Sequence, residues 1–200
     1  MEIPEPFNRI IKKNYAVSAL SNTRELTNFF NSCFRELITE LKILPKDYQA
    51  RAIKTGDMFE YAFWYLVRHK FDLDITDKVS LPKACMCSGG ELDFGIFKKD
   101  EPHIEKNLLC GIEAKGSDPN SSDRAGLKRT DTIKKGISNA YQFKRIYPKL
   151  PFFIVTNVKP TDGNAKCMMS LAEGDIVDKF VDVTNIDDLN LFVNTIKKFH

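Results

Sequence analysis

The sequence predicts an α/β fold, a mixed β-sheet flanked by helices with an N-terminal helical region. Three observations carry this expectation. Apolar residues recur at helix spacing as far as Lys70, the pattern then changes to short runs of period two, and a continuous apolar run at 152–156 follows an amphipathic helix. The 200 residues, 42% of them apolar, are enough for one domain with a sizeable core. Within that single domain, 1–200, we read residues 1–54 as the helical region and 55–200 as the core.

Taking the elements in order, Asn22 followed by Glu25 has the form of a capping box. Leu26, Phe29, Phe30, Cys33, Phe34, Leu37, Ile38 and Leu41 then repeat at helix spacing, which predicts a helix over 22–41. A further turn or two is expected over 46–54, after Pro45. Asp57 is expected to cap a separate helix, with Glu60 at its third position and Phe59, Ala62, Phe63, Leu66 and Val67 as its apolar stripe. Strands are expected at 75–79, 91–97 and 108–115, and Gly89-Gly90 suits a tight turn into the second. A long polar loop over 116–129 leads into a helix over 130–147. One side of that helix carries Ile133, Ile137, Ala140, Tyr141 and Tyr147, and the other carries Lys135, Ser138, Gln142, Arg145 and Lys149. The run 152–156 reads as a strand buried on both faces, so that strand, helix and strand form a right-handed crossover. A short helix at 168–172, a strand at 180–183 and a helix at 186–199 complete the chain.

Charge and cysteine usage narrow the function classes. The net charge of +3 is small, but its distribution is uneven. From Arg124 to Lys149 eight basic residues stand against Asp131 alone, and from Leu171 to Ile196 six acids stand against Lys179 alone. Five cysteines at irregular spacing fit reduced thiols better than a disulfide framework, and Cys85, Cys87, Cys110, Cys167 and His103 do not have the spacing of a zinc site. No apolar run approaches the roughly 20 residues of a membrane span, and the start is unlike a signal peptide. A cytoplasmic protein with no membrane contact is therefore expected.

The chemistry concentrates in two of the expected strands. Side chains on a strand alternate faces, so Glu113 and Lys115 point the same way while Ile112 and Ala114 face the core. In the earlier run Leu92, Phe94 and Ile96 share one face, and Glu91, Asp93 and Gly95 the other. An antiparallel hairpin across 98–107 pairs residues whose numbers sum to about 205, which sets Asp93 beside Glu113. Two carboxylates and an ammonium then share one patch, and paired carboxylates call for a hard cation such as Mg²⁺. Glu40-Leu41-Lys42 has the same acid-x-lysine spacing, but on a helix that separation turns the two side chains apart. The bland alternative is a same-face ion pair on a surface hairpin, worth under about 1 kcal/mol.

Asp93 followed by Glu113-Ala114-Lys115 resembles the PD-(D/E)XK nucleases, the superfamily of most type II restriction endonucleases. Leu92 stands where the name of the family has proline. The resemblance covers about residues 55–157 and implies a restriction-endonuclease-like core in which 55–200 is the nuclease part. It implies Asp93, Glu113, Lys115 and, from the helix behind the site, Glu60 as catalytic residues. Mg²⁺ would be held by Asp93, Glu113 and the Ala114 carbonyl. The substrate implied is double-stranded DNA, contacted by Ser117, Arg124, Lys128, Arg129, Lys134, Lys135 and Gln142. A prokaryotic homodimer is expected, with the 22–41 helix as a dimer element.

Overall fold

Antiparallel pairing of two apolar runs organises the sheet, and the computed structural model describes residues 1–120 and 125–199 around it. The strands are β1 (Asp74–Val79), β2 (Leu92–Phe97), β3 (Leu108–Ala114), β4 (Phe152–Thr156) and β5 (Lys179–Asp182), and they lie across the sheet in chain order. β1, β2 and β3 form an antiparallel meander, whereas β3, β4 and β5 run parallel. The sheet is therefore mixed. The helices are α1 (Phe7–Ala16), α2 (Thr23–Glu40), α3 (Tyr48–Phe71), α4 (Thr130–Ile146), α5 (Gly163–Ala172) and α6 (Ile186–Lys197). Parallel strands need long crossovers, and α4 and α5 supply them between β3 and β4 and between β4 and β5. Among the described residues no helix is long and apolar enough to cross a membrane.

Two apolar layers lie on opposite faces of the sheet. α1, α2, α3 and α6 pack over Ile75, Phe94, Ile96, Ile112, Ala114 and Phe153, so the N-terminal helices share one core with the strands. α4 and α5 cover the other face, over Val79, Leu92, Leu108, Phe152, Ile154 and Phe180. Every residue of β3 and of β4 is buried, as strands covered on both sides require. The capping box at the start of α2 closes with a shift of one residue. Asn22 Oδ1 accepts from Glu25 N at 3.0 Å, and Glu25 Oε2 accepts from Ser21 N at 2.7 Å.

Three expectations need correction. The turns over 46–54 and the helix expected from Asp57 are one helix, α3, so Asp57 caps nothing and Glu60 sits in mid-helix. No proline interrupts this stretch, and Gly56 alone costs a helix only about 1 kcal/mol. Leu92 leaves the face of Phe94 and Ile96 and joins Val79 in the α4 layer, at the end of the strand pair where Lys78 takes a φ of +49°. Tyr141 is 55% exposed, and the buried face of α4 is Ile133, Gly136, Ala140 and Phe143, because Phe143 reaches Phe152 at a centroid distance of 5.2 Å. The 22–41 helix buries its apolar face inside the molecule, as its periodicity predicts. Leu26, Phe29, Phe30, Cys33, Phe34 and Leu37 are buried against α1 and α3, and none of them is free for a second copy.

The α4 register predicts unequal costs for two neighbouring aromatics. Phe143→Ala should lower the unfolding free energy by about 3–5 kcal/mol, and Tyr141→Ala should stay within about 0.5 kcal/mol of the parent. Urea unfolding of both variants measures the contrast, and equal losses would place Tyr141 in the core instead.

Candidate active site

Four elements meet at one end of the sheet, where β3 and β4 finish and antiparallel β2 begins. Crevices at the carboxyl ends of strands are where open α/β sheets bind ligands. The register Phe94↔Ile112 and Gly95↔Gly111 carries one step further to set Asp93 against Glu113, as the hairpin rule anticipates. Asp93 Oδ2 accepts from the backbone N of Ala114 at 2.7 Å, which locks the acid of β2 to the end of β3. Lys115 Nζ lies 3.0 Å from Asp93 Oδ2, 2.7 Å from Glu113 Oε1 and 2.9 Å from the Ala114 carbonyl. The expected trio is therefore assembled.

Burial separates the roles of the two acids. Glu113 is 2% exposed, whereas Asp93 is 25% exposed and lines a cleft of about 580 Å³ together with Glu60, Tyr61, Asp77 and Glu91. Asp93 is thus the solvent-facing acid of the pair. Burial pushes the Glu113 carboxyl above its ordinary range and Asp93 adds to the rise, with Lys115 offsetting part of it. Burial works to lower the Lys115 ammonium, but the Asp93 and Glu113 carboxylates outweigh it and hold that pKa above the usual value. Glu60 is pushed up to about 7, first by burial and then by the Asp93 charge. It reaches the trio from α3, and Asn139 of α4 approaches Glu113 from the opposite layer.

The donor set fits a hard divalent ion. Asp93, Glu113 and the Ala114 carbonyl present oxygen alone, and Glu113 Oε2 is buried without a hydrogen-bond partner. Among the described residues no three His, Cys, Asp or Glu side chains are grouped as a metal cage. In this site the third oxygen is a backbone carbonyl, and the cation among the three is the Lys115 ammonium.

The backbone that presents Lys115 is held by residues that the sequence did not single out. Lys115 N donates to the Val155 carbonyl at 2.8 Å, and the Lys115 carbonyl accepts from Thr156 Oγ1 at 2.7 Å. Asn157 clamps the next step, since its Oδ1 accepts from Ser117 N at 3.0 Å and its Nδ2 donates to the Ser117 carbonyl at 2.8 Å. Arg51 of α3 donates to Asp118 Oδ2 at 2.5 Å in a largely buried pair. Gly116 lies flat against the Phe59 ring, where any Cβ would overlap the ring carbons. Asn139 was findable, since it lies four residues from Lys135 and three from Gln142 on the polar stripe of α4. Arg51 and Asp118 had no local signal.

The residues expected to meet DNA are dispersed. Ser117 is buried, and its Oγ accepts from Gly126 N at 3.0 Å, so it ties the base of the loop together. Lys128 is exposed at the end of a 3-10 turn, Gly126–Lys128, and Arg129 pairs with Asp131 at 2.5 Å. Lys134 and Lys135 are exposed on α4, and Gln142 is half-buried. Arg124 lies outside the described residues. The rival Glu40 pairs with Arg9, and Lys42 falls just beyond the end of α2 with a φ of +52°. His103 is drawn away from the cysteines to Asp74, at 2.8 Å. In comparisons with family models, curated proteins and solved structures, no significant match is found.

Two outcomes follow from this geometry. Gly116→Ala should cost about 1–3 kcal/mol, as overpacking against a buried ring does, and urea unfolding reads the loss. The second concerns pH. Glu60 binds its proton more tightly folded than unfolded, so its favourable contribution is complete below 4.5 and is lost as pH rises through about 7. In EDTA, Glu60→Gln should gain melting temperature relative to the parent across that window and keep a constant lead above it. A lead that shrinks with pH would reverse the assignment.

Proposed function

We propose that this chain is a Mg²⁺-dependent endonuclease that hydrolyses phosphodiester bonds of double-stranded DNA, built on a restriction-endonuclease-like core. The observation that carries the reading is the convergence of Asp93 Oδ2, Glu113 Oε1 and the Ala114 carbonyl on one cation position at the sheet end. The resemblance adds chain order. An antiparallel hairpin that bears the acids, then α4, then parallel β4 is the sequence of elements expected of the PD-(D/E)XK core.

Asp93, Glu113 and the Ala114 carbonyl are the groups that would hold the ion. When bound, such an ion withdraws charge from the scissile phosphate and lowers the pKa of a coordinated water. Asp93 faces the cleft and positions the phosphate end of the site, while sealed Glu113 anchors it from behind. Lys115 orients the attacking water or takes part in its deprotonation. Glu60 steers the Lys115 ammonium and adds to the acidic shell. Lys128, Lys134 and Lys135, exposed on the 3-10 turn and α4, offer phosphate contacts that would position a duplex without reading its sequence. Cutting both strands is simplest for a two-fold dimer. Such a dimer would use a surface other than the buried stripe of α2.

Purified protein with Mg²⁺ should cut plasmid DNA into discrete fragments, and Asp93→Ala, Glu113→Gln and Lys115→Ala should each lower the rate by at least about 100-fold, the lower range for loss of one catalytic group. Retained cutting by any of them would remove that residue from the site. Nicking that depends on DNA structure would place the chain with repair nucleases or junction resolvases. Salt-sensitive, Mg²⁺-independent binding without cleavage would make it a DNA-binding module.

A further inference from the structure

We propose that the Lys115 ammonium is the resident cation of the site, and that a divalent ion enters only by exchange with it. The inference rests on the metal-dependent reading above and extends it to the order of events. An ammonium has three N–H donors, and here three oxygens surround it, at 2.7, 2.9 and 3.0 Å. Two of its donors are hydrogen-bonded, to Asp93 Oδ2 and the Ala114 carbonyl, and its charge is paired with Glu113 Oε1. Lys115 in this position is enclosed by the three oxygens that a metal ion would use, so it must leave before an ion can take them.

Charge balance demands the same move. Asp93, Glu113 and Lys115 together carry one net negative charge, and a divalent ion placed among the same oxygens would meet the ammonium at contact distance, where like charges repel strongly. Withdrawal of Nζ frees Asp93 Oδ2, Glu113 Oε1 and the Ala114 carbonyl together. Glu113 Oε2, buried and without a partner, offers the entering ion a second oxygen of the same carboxylate. Asp93 Oδ2 also keeps its bond from Ala114 N, so the frame of the site survives the exchange. Lys115 thus acts in the resting protein as a built-in competitor that holds two neighbouring carboxylates together until metal arrives.

Calorimetric titration of the full chain with Mg²⁺ and Mn²⁺ tests this without any reading of cleavage. Lys115→Met and Lys115→Gln remove the competitor and should bind metal at least about tenfold more tightly than the parent, the direction required when a like charge leaves an ion site. Asp93→Asn should bind more weakly. Equal or weaker binding by folded Lys115 variants overturns the exchange while leaving the metal site in place. Absence of binding by parent and variants alike removes both the exchange and the nuclease reading. Tighter binding by the variants, combined with a parent that cuts no DNA, keeps the exchange and removes only the nuclease reading. If neither Lys115 variant folds, the parent still decides the matter. Mg²⁺ should increase the rate at which Lys115 is acetylated, read by mass spectrometry, and an unchanged rate overturns the proposal.

Discussion

A carboxylate that is 2% exposed must be neutralised or paired, and the Glu113–Lys115 contact at 2.7 Å is the pairing on which the rest of this site depends. Removing such a charge from water costs several kcal/mol, and its partner must stand close with good geometry to offset that cost. A lysine two residues along the same strand is the nearest available solution, since period two puts both side chains on one face. The choice has consequences for the neighbours. Lys115 has to stay in line at a strand end, so β4 grips it through Val155 and Thr156. The chain must then turn under α3, and only glycine at 116 passes beneath the Phe59 ring.

A buried ion pair is weak support for stability, because apolar residues of the same volume often do as well or better. Asp93 makes the case sharper. Setting a second carboxylate beside Glu113 adds repulsion, which the structure answers with one ammonium and one backbone N–H. Glu60 brings a third acid near, and its pKa is pushed up to about 7, first by burial and then by the Asp93 charge. Shifted carboxyls beside a cleft are common to functional sites and to structural ion-pair networks. The sealed Glu113 and the accessible Asp93 give this cluster a buried back and an open front.

Much of the fold could be read from the chain, and the exceptions have local causes. Strands β1 to β5 fall within a residue or so of their expected bounds, because short apolar runs between turn residues leave little latitude. The hairpin register followed from the same pattern, since a slip of one residue would have turned Phe94 and Ile96 away from the layer they share with Ile112. In α4 the bounds agree and only the buried aromatic differs, Phe143 in place of Tyr141. Tyr141 and Phe143 both fit an aromatic stripe, and only contact with Phe152 and Gly111 selects Phe143. α3 was divided in two because Gly56-Asp57 has the local form of a helix start, yet a helix already packed through Met58, Phe59 and Ala62 has no reason to break there. Arg51 and Asp118 are 67 residues apart, so no window along the chain contains both.

What the sequence by itself determined is the trio: alternation along β3 puts Glu113 and Lys115 on one side, and the hairpin register brings Asp93 to them even though Leu92 and Phe94 lie in opposite layers. What only the tertiary structure decided is the state of that trio. Packing of α3 on one side and α4 on the other seals Glu113, leaves Asp93 on a cleft, lifts Glu60 and closes three oxygens around the Lys115 ammonium. Exposure and electrostatic coupling depend on the distance to every neighbouring element, and those distances exist only once the two helical layers have closed over the sheet.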